Sequence, residues 1–495
     1  MKWPRAGGIL AHPTSFPGPF GIGDLGPNAE RFFDFLVAGG LKFWQTLPLG
    51  PTGYGNSPYA ALSAFAGAPA LISPERLVAN DLLPQSALSD APTFPADHVD
   101  YGAVTPWKAD LLRAACDRFQ AEGQPEIREA YERFRAENAT WLDEFALFMA
   151  LKEAHGQRAW VEWPQRYAQR DPEALAEARG SLANEIESHA FTQFLFFRQW
   201  DALRASAHER GLQIIGDLAI FVSHDSADVW SHPEFFTLDE HGQPSSVAGV
   251  PPDYFSVTGQ RWGNPLYRWD VLRETGYQWW VDRVRQALRV YDIIRLDHFR
   301  GFEAYWEVPA SEPTAAHGTW QPGPGEALFA AIRAELGDAP FIAEDLGVIT
   351  PEVRALQESL GLPGMRVLQF AFSDRADNRD LPHNYTPDAV VYTGTHDNDT
   401  TRGWFAARAG DERAYALDYL QCEPEAVTPA MIRLAYASVA QLALVPMQDI
   451  LDLGSEARMN FPSRPDGNWE WRFSADDLSD ERAQWLKHLA TMYGR

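Results

Sequence analysis

Several short apolar runs in this chain end in carboxylates, and those endings concentrate its chemistry. QIIGDLAIF carries Asp217, and IIRLDHFRGF carries Arg295, Asp297, His298 and Arg300. FIAEDLGV supplies Glu344 and Asp345, VVYTGTHDNDT supplies His396, Asp397 and Asp399, and LVPMQDIL supplies Gln448 and Asp449. Each acid alone has a structural reading: Asp217 as a helix cap, Asp345 in a salt bridge, Asp399 opening the helix after Thr400. A buried carboxylate is costly unless it is paired, so a whole set converging on one rim reads as a site.

Residue types narrow the chemistry. A Schiff-base barrel needs a strand lysine near the rim; of Lys2, Lys42, Lys108, Lys152 and Lys487, only Lys42 lies on a candidate strand, at its start. A metal-dependent barrel hydrolase needs several His and Asp ligands, and the His-x-His pair common on the first strand of such enzymes is missing, leaving His12. No metal and no cofactor are expected. GIGDLG at Gly21–Gly26 matches G-x-G-x-x-G, but it follows Pro17, Gly18, Pro19 and Phe20 rather than a strand, and Phe43–Thr46, about 20 residues on, holds no carboxylate. It reads as a glycine-rich turn into a helix. Glycoside cleavage needs two carboxylates around one bond and gains from aromatic platforms. YGNSPYA (Tyr54–Ala60) and DYFSVTGQRWGNPLY (Asp253–Tyr267) supply aromatics just beyond strand ends. Metal-dependent hydrolysis and non-catalytic glucan binding stand as the alternatives.

Positioning these groups takes strands. Candidates are Gly8–Ala11, Lys42–Leu47, Gln213–Ile220, Asp292–Leu296, Phe341–Ala343, Met365–Phe370, Ala389–Thr393 and Leu442–Val445, with amphipathic stretches such as Asn28–Leu36 and Pro324–Leu336 between most of them. This alternation predicts an α/β fold, a (β/α)8 TIM barrel, with catalytic groups at the C-terminal strand ends. Such barrels run about 250 residues, so a chain of 495 residues must carry insertions. One catalytic barrel is expected over 1–495, interrupted by a mostly helical insertion at 60–211 and a substrate-loop insertion at 224–276. The first opens with a Pro-rich stretch, Leu83–Pro106, read as irregular, followed by helices over Pro125–His155 and Ser181–His208. The second is read as a long functional loop without regular structure.

Composition bounds the partners. The formal net charge of −26 repels phosphate backbones and anionic lipid, so nucleic acid and membrane surfaces are not expected to bind. Two cysteines, Cys116 and Cys422, exclude a disulfide framework and favour a reducing compartment. The N-terminal apolar run is broken by Pro and Gly before it reaches signal-peptide length. A cytoplasmic protein is expected. The 13% aromatic content calls for either a large aromatic core or sugar-stacking surfaces.

Nine collinear segments, among them GILAHPTSFPGPFGIGDLGP, FWQTLPLGPTGYGNSPYAALSAFAG, IIRLDHFRGFEAYWEVP, FIAEDLGVITPEV, YTGTHDNDTTRGWF and ARMNFP with GNWEWRF, closely resemble the 4-α-glucanotransferases. These amylomaltases, or disproportionating enzymes, form glycoside hydrolase family 77 of the α-amylase clan. The resemblance implies that Asp297 is the nucleophile, Glu344 the general acid/base and Asp397 the carboxylate that stabilises the distorted sugar. It implies substrate contacts at Tyr59, Ser57, Asp217, Arg295, His396, Trp262 and Asn460. It also implies the reaction: a segment of an α-1,4-glucan (maltooligosaccharide, amylose or starch) passes, with retention, to the 4-hydroxyl of another glucan or of glucose. Glu344 is then expected to have a raised pKa while Asp297 stays ionised, with Arg295 two residues earlier on the same strand face. Aromatic loops around Tyr254, Phe255 and Trp262 are expected to bind acceptor and exclude water. Ala219 and Phe221 stand where the family often has Pro and Tyr, and Pro462–Trp469 departs from the usual Pro-Gly-Thr form. Hydrolysis would use the same carboxylates with water as acceptor, so the choice of transfer rests on the resemblance.

Overall fold

The computed structural model describes residues 3–252, 256–373, 375–462, 464 and 466–495. Its strands, in chain order, are β1 (Ala6–Leu10), β2 (Phe43–Gln45), β3 (Gln213–Leu218), β4 (Ser246–Val250), β5 (Gln260–Pro265), β6 (Ile293–Leu296), β7 (Ala304–Pro309), β8 (Thr319–Pro322), β9 (Phe341–Ala343), β10 (Gly364–Val367), β11 (Ala389–Tyr392) and β12 (Leu442–Pro446). Eight of them close a parallel barrel in the order β1, β12, β11, β10, β9, β6, β3, β2. Each corresponds to one candidate strand of the sequence, with its ends shifted by up to three residues.

Side chains two residues apart point to one face of a strand, and that periodicity builds the barrel from bottom to top. Ala6, Phe43, Ile215, Ile293, Ile342, Met365, Val390 and Leu442 fill one apolar cluster inside it. Burying a side chain such as Phe or Ile stabilises by about 1.5–3 kcal/mol. Two residues further along the same faces come Asp217, Arg295 and Glu344, so the packed floor and the charged rim share one alternation. Gly8 belongs to the inner wall, where a Cβ would lie 2.5 Å from the Phe43 carbonyl oxygen and 2.6 Å from Leu444 Cδ2.

Helices cover the outside. Pro27–Ala38 follows β1, buries Ala29, Phe32, Phe33, Phe35 and Leu36, and has Pro at its first turn. Gly23 of the GIGDLG turn packs where a Cβ would meet the Pro13 carbonyl oxygen at 2.0 Å, so this glycine serves a close backbone approach. Gln278–Val290, Glu326–Leu336, Pro351–Ser359, Val427–Ala437 and Asp480–Tyr493 complete most of the ring. Between β10 and β11 the described residues form only short 3-10 turns.

Two expectations change. Leu83–Pro106 is not irregular throughout: a helix runs over Tyr101–Glu122, because the Asp100 side chain caps it by accepting from the Ala103 N–H at 3.1 Å. Pro106 lies near enough to that end to forfeit a single helical bond. The segment 224–276 also has regular structure. β4 and β5 join β7 and β8 in a four-stranded antiparallel sheet ordered β5, β4, β7, β8. The partner of β4 is β7, nearly 60 residues on, a pairing that local periodicity does not reveal. Cys116 and Cys422 are free thiols. Among the described residues no helix is long and apolar enough to cross a membrane.

Candidate active site

Strand register brings the first three charged groups together. Asp217 on β3 lies opposite Arg295 on β6. Arg295 Nη1 donates to Asp217 Oδ2 at 2.6 Å and Oδ1 at 2.8 Å, and to Asp297 Oδ1 at 2.9 Å. Its Nε rests 3.3 Å from Met365 Sδ, on the floor beneath. One guanidinium, almost fully enclosed, is thus shared by two carboxylates. The Tyr59 hydroxyl donates to Asp217 Oδ2 at 2.7 Å.

The chain turns sharply after Asp297. His298 adopts a left-handed backbone (φ 51°), uncommon for a residue with a side chain. The turn aims the His298 N–H at Glu344 Oε2 (2.8 Å), and the Phe299 N–H reaches the Glu344 carbonyl oxygen (3.1 Å). Glu344 Oε1 accepts from the Leu346 N–H at 2.7 Å. Both carboxyl oxygens are therefore oriented by the backbone on either side of the groove.

The loop after β11 supplies the remaining wall. Asp397, 49% exposed, accepts from Asn460 Nδ2 at 2.6 Å and lies 3.4 Å from His396 Nε2. The His396 ring stacks on Tyr59 (centroids 5.1 Å apart, planes at 16°). Ser57 does not reach the carboxylates: its Oγ accepts the Tyr59 N–H at 3.3 Å and shapes that loop. Trp262 on β5, 38% exposed, meets the His298 ring edge-on at 4.8 Å. Tyr254 and Phe255 lie outside the described residues.

Electrostatics follow from burial. Burial raises the Glu344 pKa, opposed by Arg295 and the two backbone N–H groups. Asp297 is raised as well, to about 8, by burial and by Asp217, Glu344 and Asp397, with Arg295 pulling it down. The expectation that Asp297 stays ionised is therefore revised: a single guanidinium already paired to Asp217 does not offset burial plus three carboxylates. Asp297 keeps 27% of its side chain open to the groove, where water offsets part of that burial. Burial lowers His298 and His12 to about 3 and moves His396 down, so these imidazoles are neutral near pH 7.

Other rim acids are structural. Asp345 accepts from Arg379 Nη2 at 2.5 Å and from the Met365 N–H at 2.7 Å. Asp399 accepts from the Thr400 N–H at 2.8 Å and from Ser455 Oγ at 2.7 Å, while Thr400 itself caps the following helix. Asp449 binds both the N–H and hydroxyl of Thr401 at 2.7 Å. Among the described residues no group of three or more His, Cys, Asp or Glu side chains is arranged to hold a metal ion.

Two contributors escape a reading of spacing alone. Trp469 packs 6.0 Å from both the Tyr59 and His396 rings. Arg458 donates to the Asp397 carbonyl at 2.6 Å and to the Asn460 carbonyl at 2.7 Å. Both lie in the ARMNFP and GNWEWRF segments, but neither sits at a strand end, where the search was made.

Fold and rim together define an enzyme of the (β/α)8-barrel class. A family model described as 4-alpha-glucanotransferase matches residues 11–478. A 4-alpha-glucanotransferase of Thermus thermophilus is 54% identical, over 99% of both chains. One from a Synechocystis species is 50% identical, over 99% of this chain and 98% of that one. The structure of amylomaltase from Streptococcus agalactiae in complex with acarbose superposes with a TM-score of 0.96 at 41% identity, covering 99% of each chain. The chain belongs to the 4-alpha-glucanotransferases, glycoside hydrolase family 77.

Proposed function

We propose that the chain transfers α-1,4-glucan segments by a double displacement through a covalent glycosyl–Asp297 intermediate. The observation that carries this reading is the Arg295 guanidinium 2.9 Å from Asp297, with the Glu344 carboxyl held beside it by the His298 N–H at 2.8 Å. The reactive form holds one proton on the pair, with Glu344 protonated and Asp297 ionised. Asp297 attacks the anomeric carbon, the glycosidic C–O bond breaks, and the departing oxygen takes the Glu344 proton. The 4-hydroxyl of an incoming glucan, or of glucose, then gives its proton back to Glu344, and its oxygen displaces Asp297. Two inversions retain the α-configuration.

Asp397, fixed by Asn460, stabilises positive charge on the distorted sugar ring. Tyr59, stacked on His396, and Trp262 form platforms for sugar faces. Asp217 and Arg295 hold the nucleophile, and Ser57 orients the Tyr59 loop. In this reading residues 1–495 form a single catalytic barrel, with 60–211 and 224–276 as insertions that shape the groove. The substrates are maltooligosaccharides, amylose and starch, handled in the cytoplasm. Maltotriose alone as substrate tests the reading: a ladder of longer maltooligosaccharides with glucose is expected, whereas glucose and maltose without longer products would make the enzyme a hydrolase.

A further inference from the structure

The turn after Asp297 is gripped from outside by the antiparallel sheet. The His298 ring meets Trp262 of β5, and two residues on the Arg300 guanidinium lies 3.7 Å above the ring of Trp320 on β8. Trp320 is braced in turn by Trp306, its opposite residue on β7, with ring centroids 5.1 Å apart. From this position Arg300 Nη1 donates to the Val348 carbonyl, in the loop that leaves Glu344. Val348 is 54% exposed, so its own side chain does little to anchor that stretch. At one end of the loop the Leu346 N–H holds Glu344 Oε1, and at the other Thr350 caps the helix Pro351–Ser359. Between these two points Leu346 and Ile349 pack against the core, and Arg300, fixed on a flat aromatic surface, ties down the exposed middle.

We infer that Arg300, stacked on Trp320, is a positioning residue for the acid step: it fixes the 346–350 loop so that the Leu346 N–H keeps Glu344 aimed at the departing oxygen. The inference rests on the assignment of Glu344 as the general acid and adds the means by which the antiparallel sheet supports it. Arg300 is 6% exposed and is proposed to act through the loop. Displacing an acid by about 1 Å costs up to roughly 100-fold in rate, and the loss is specific to leaving groups that need a proton. Losing the Leu346 N–H bond also removes support for the ionised carboxyl, so the pKa of Glu344 moves up.

The test compares Arg300→Ala, Trp320→Ala and Glu344→Gln on two donors, maltotriose and α-maltosyl fluoride, whose fluoride leaves without protonation. For Arg300→Ala, kcat on maltotriose should fall roughly 10- to 100-fold with KM within about twofold, and the first-turnover burst of fluoride, which precedes the base step, should slow less than about threefold. The alkaline limb of its kcat/KM profile should move to higher pH. Trp320→Ala should move every readout the same way by a smaller factor, and it decides the question if Arg300→Ala does not fold. Equal losses on both donors, or no loss on either, would overturn the inference. Glu344→Gln separates the two claims: if it releases one equivalent of fluoride in a rapid first-turnover burst but the bursts of the Arg300 and Trp320 variants are slowed, the inference fails and the acid assignment stands. If Glu344→Gln releases no such burst of fluoride, the acid assignment itself falls.

Discussion

Arg295 and Asp217 face each other across adjacent barrel strands, and the guanidinium nitrogen that binds both Asp217 oxygens also reaches Asp297 at 2.9 Å. The positive charge that steadies the nucleophile is therefore divided. Replacing Asp217 by Asn removes one negative neighbour of Asp297 and releases the whole guanidinium to it, and both effects lower the Asp297 pKa. The acid limb of kcat/KM should shift to lower pH in Asp217→Asn. Losing a charged hydrogen bond should also cost about 1.5–3 kcal/mol of stability, read from urea unfolding. An acid limb that moves up would contradict the shared-charge account.

The same arithmetic sets the pH window of the wild type. At low pH both members of the pair are protonated and Asp297 cannot attack; at high pH Glu344 has lost the proton it must donate. Burial raises both groups, Asp297 to about 8. The pair titrates as a unit, so the active window should lie above the ordinary carboxylate range, with both limbs moved up from it. A falling limb at about pH 5, close to an unperturbed carboxylate, would mean that the site is wetter than its packing implies.

Tyr59 has two separable parts. Its hydroxyl binds Asp217 and its ring stacks on His396. Tyr59→Phe keeps the ring and should lower kcat by roughly tenfold, the low end of what one hydrogen bond to a charged group is worth. Tyr59→Ala removes the platform as well and should raise KM for maltotriose. Indistinguishable KM values in the two variants would remove the ring from the sugar-binding surface.

Asn460 donates to Asp397 at 2.6 Å, so Asn460→Ala leaves that half-exposed carboxylate free to rotate. The expected loss in kcat is roughly 10- to 100-fold, equivalent to about 1.5–3 kcal/mol. Asn460→Asp should be worse, because it sets a second negative charge against Asp397. Steady-state transfer from maltotriose checks both, and an Asp variant more active than the Ala variant would contradict the contact.

Not every rim acid is a candidate for chemistry. Asp449 is buried and binds the Thr401 N–H and the hydroxyls of Thr393 and Thr401. Asp449→Ala strands those donors and should destabilise the fold by about 3 kcal/mol. An unchanged unfolding midpoint would contradict that bracing role.

The barrel was legible in the sequence because its signal is local: short apolar runs, three of which carry on the inner face an apolar residue and then, two positions later, a charged rim group, as in Ile215 and Asp217, Ile293 and Arg295, and Ile342 and Glu344. The antiparallel sheet was not, since β4 finds β7 across nearly 60 residues of chain. The rim acids were visible as a set, but sorting them needed coordinates. Asp345 and Asp217 look alike in sequence, yet one is consumed by Arg379 and a backbone N–H while the other shares its arginine with Asp297. The roles of Arg458 and Arg300 were hidden for a related reason: each donates to a backbone carbonyl, and a carbonyl has no sequence signature.

The account turns on Asp297 as the atom donor to a covalent intermediate, and that can be measured directly. Glu344→Gln incubated with α-maltosyl fluoride should form the glycosyl-enzyme and then stall for want of a base. Mass spectrometry of the digested protein should find one added maltosyl unit on the peptide containing Asp297, absent in the Asp297→Asn, Glu344→Gln double variant. An adduct on another residue, or fluoride turnover with inverted product and no adduct, would contradict the double displacement.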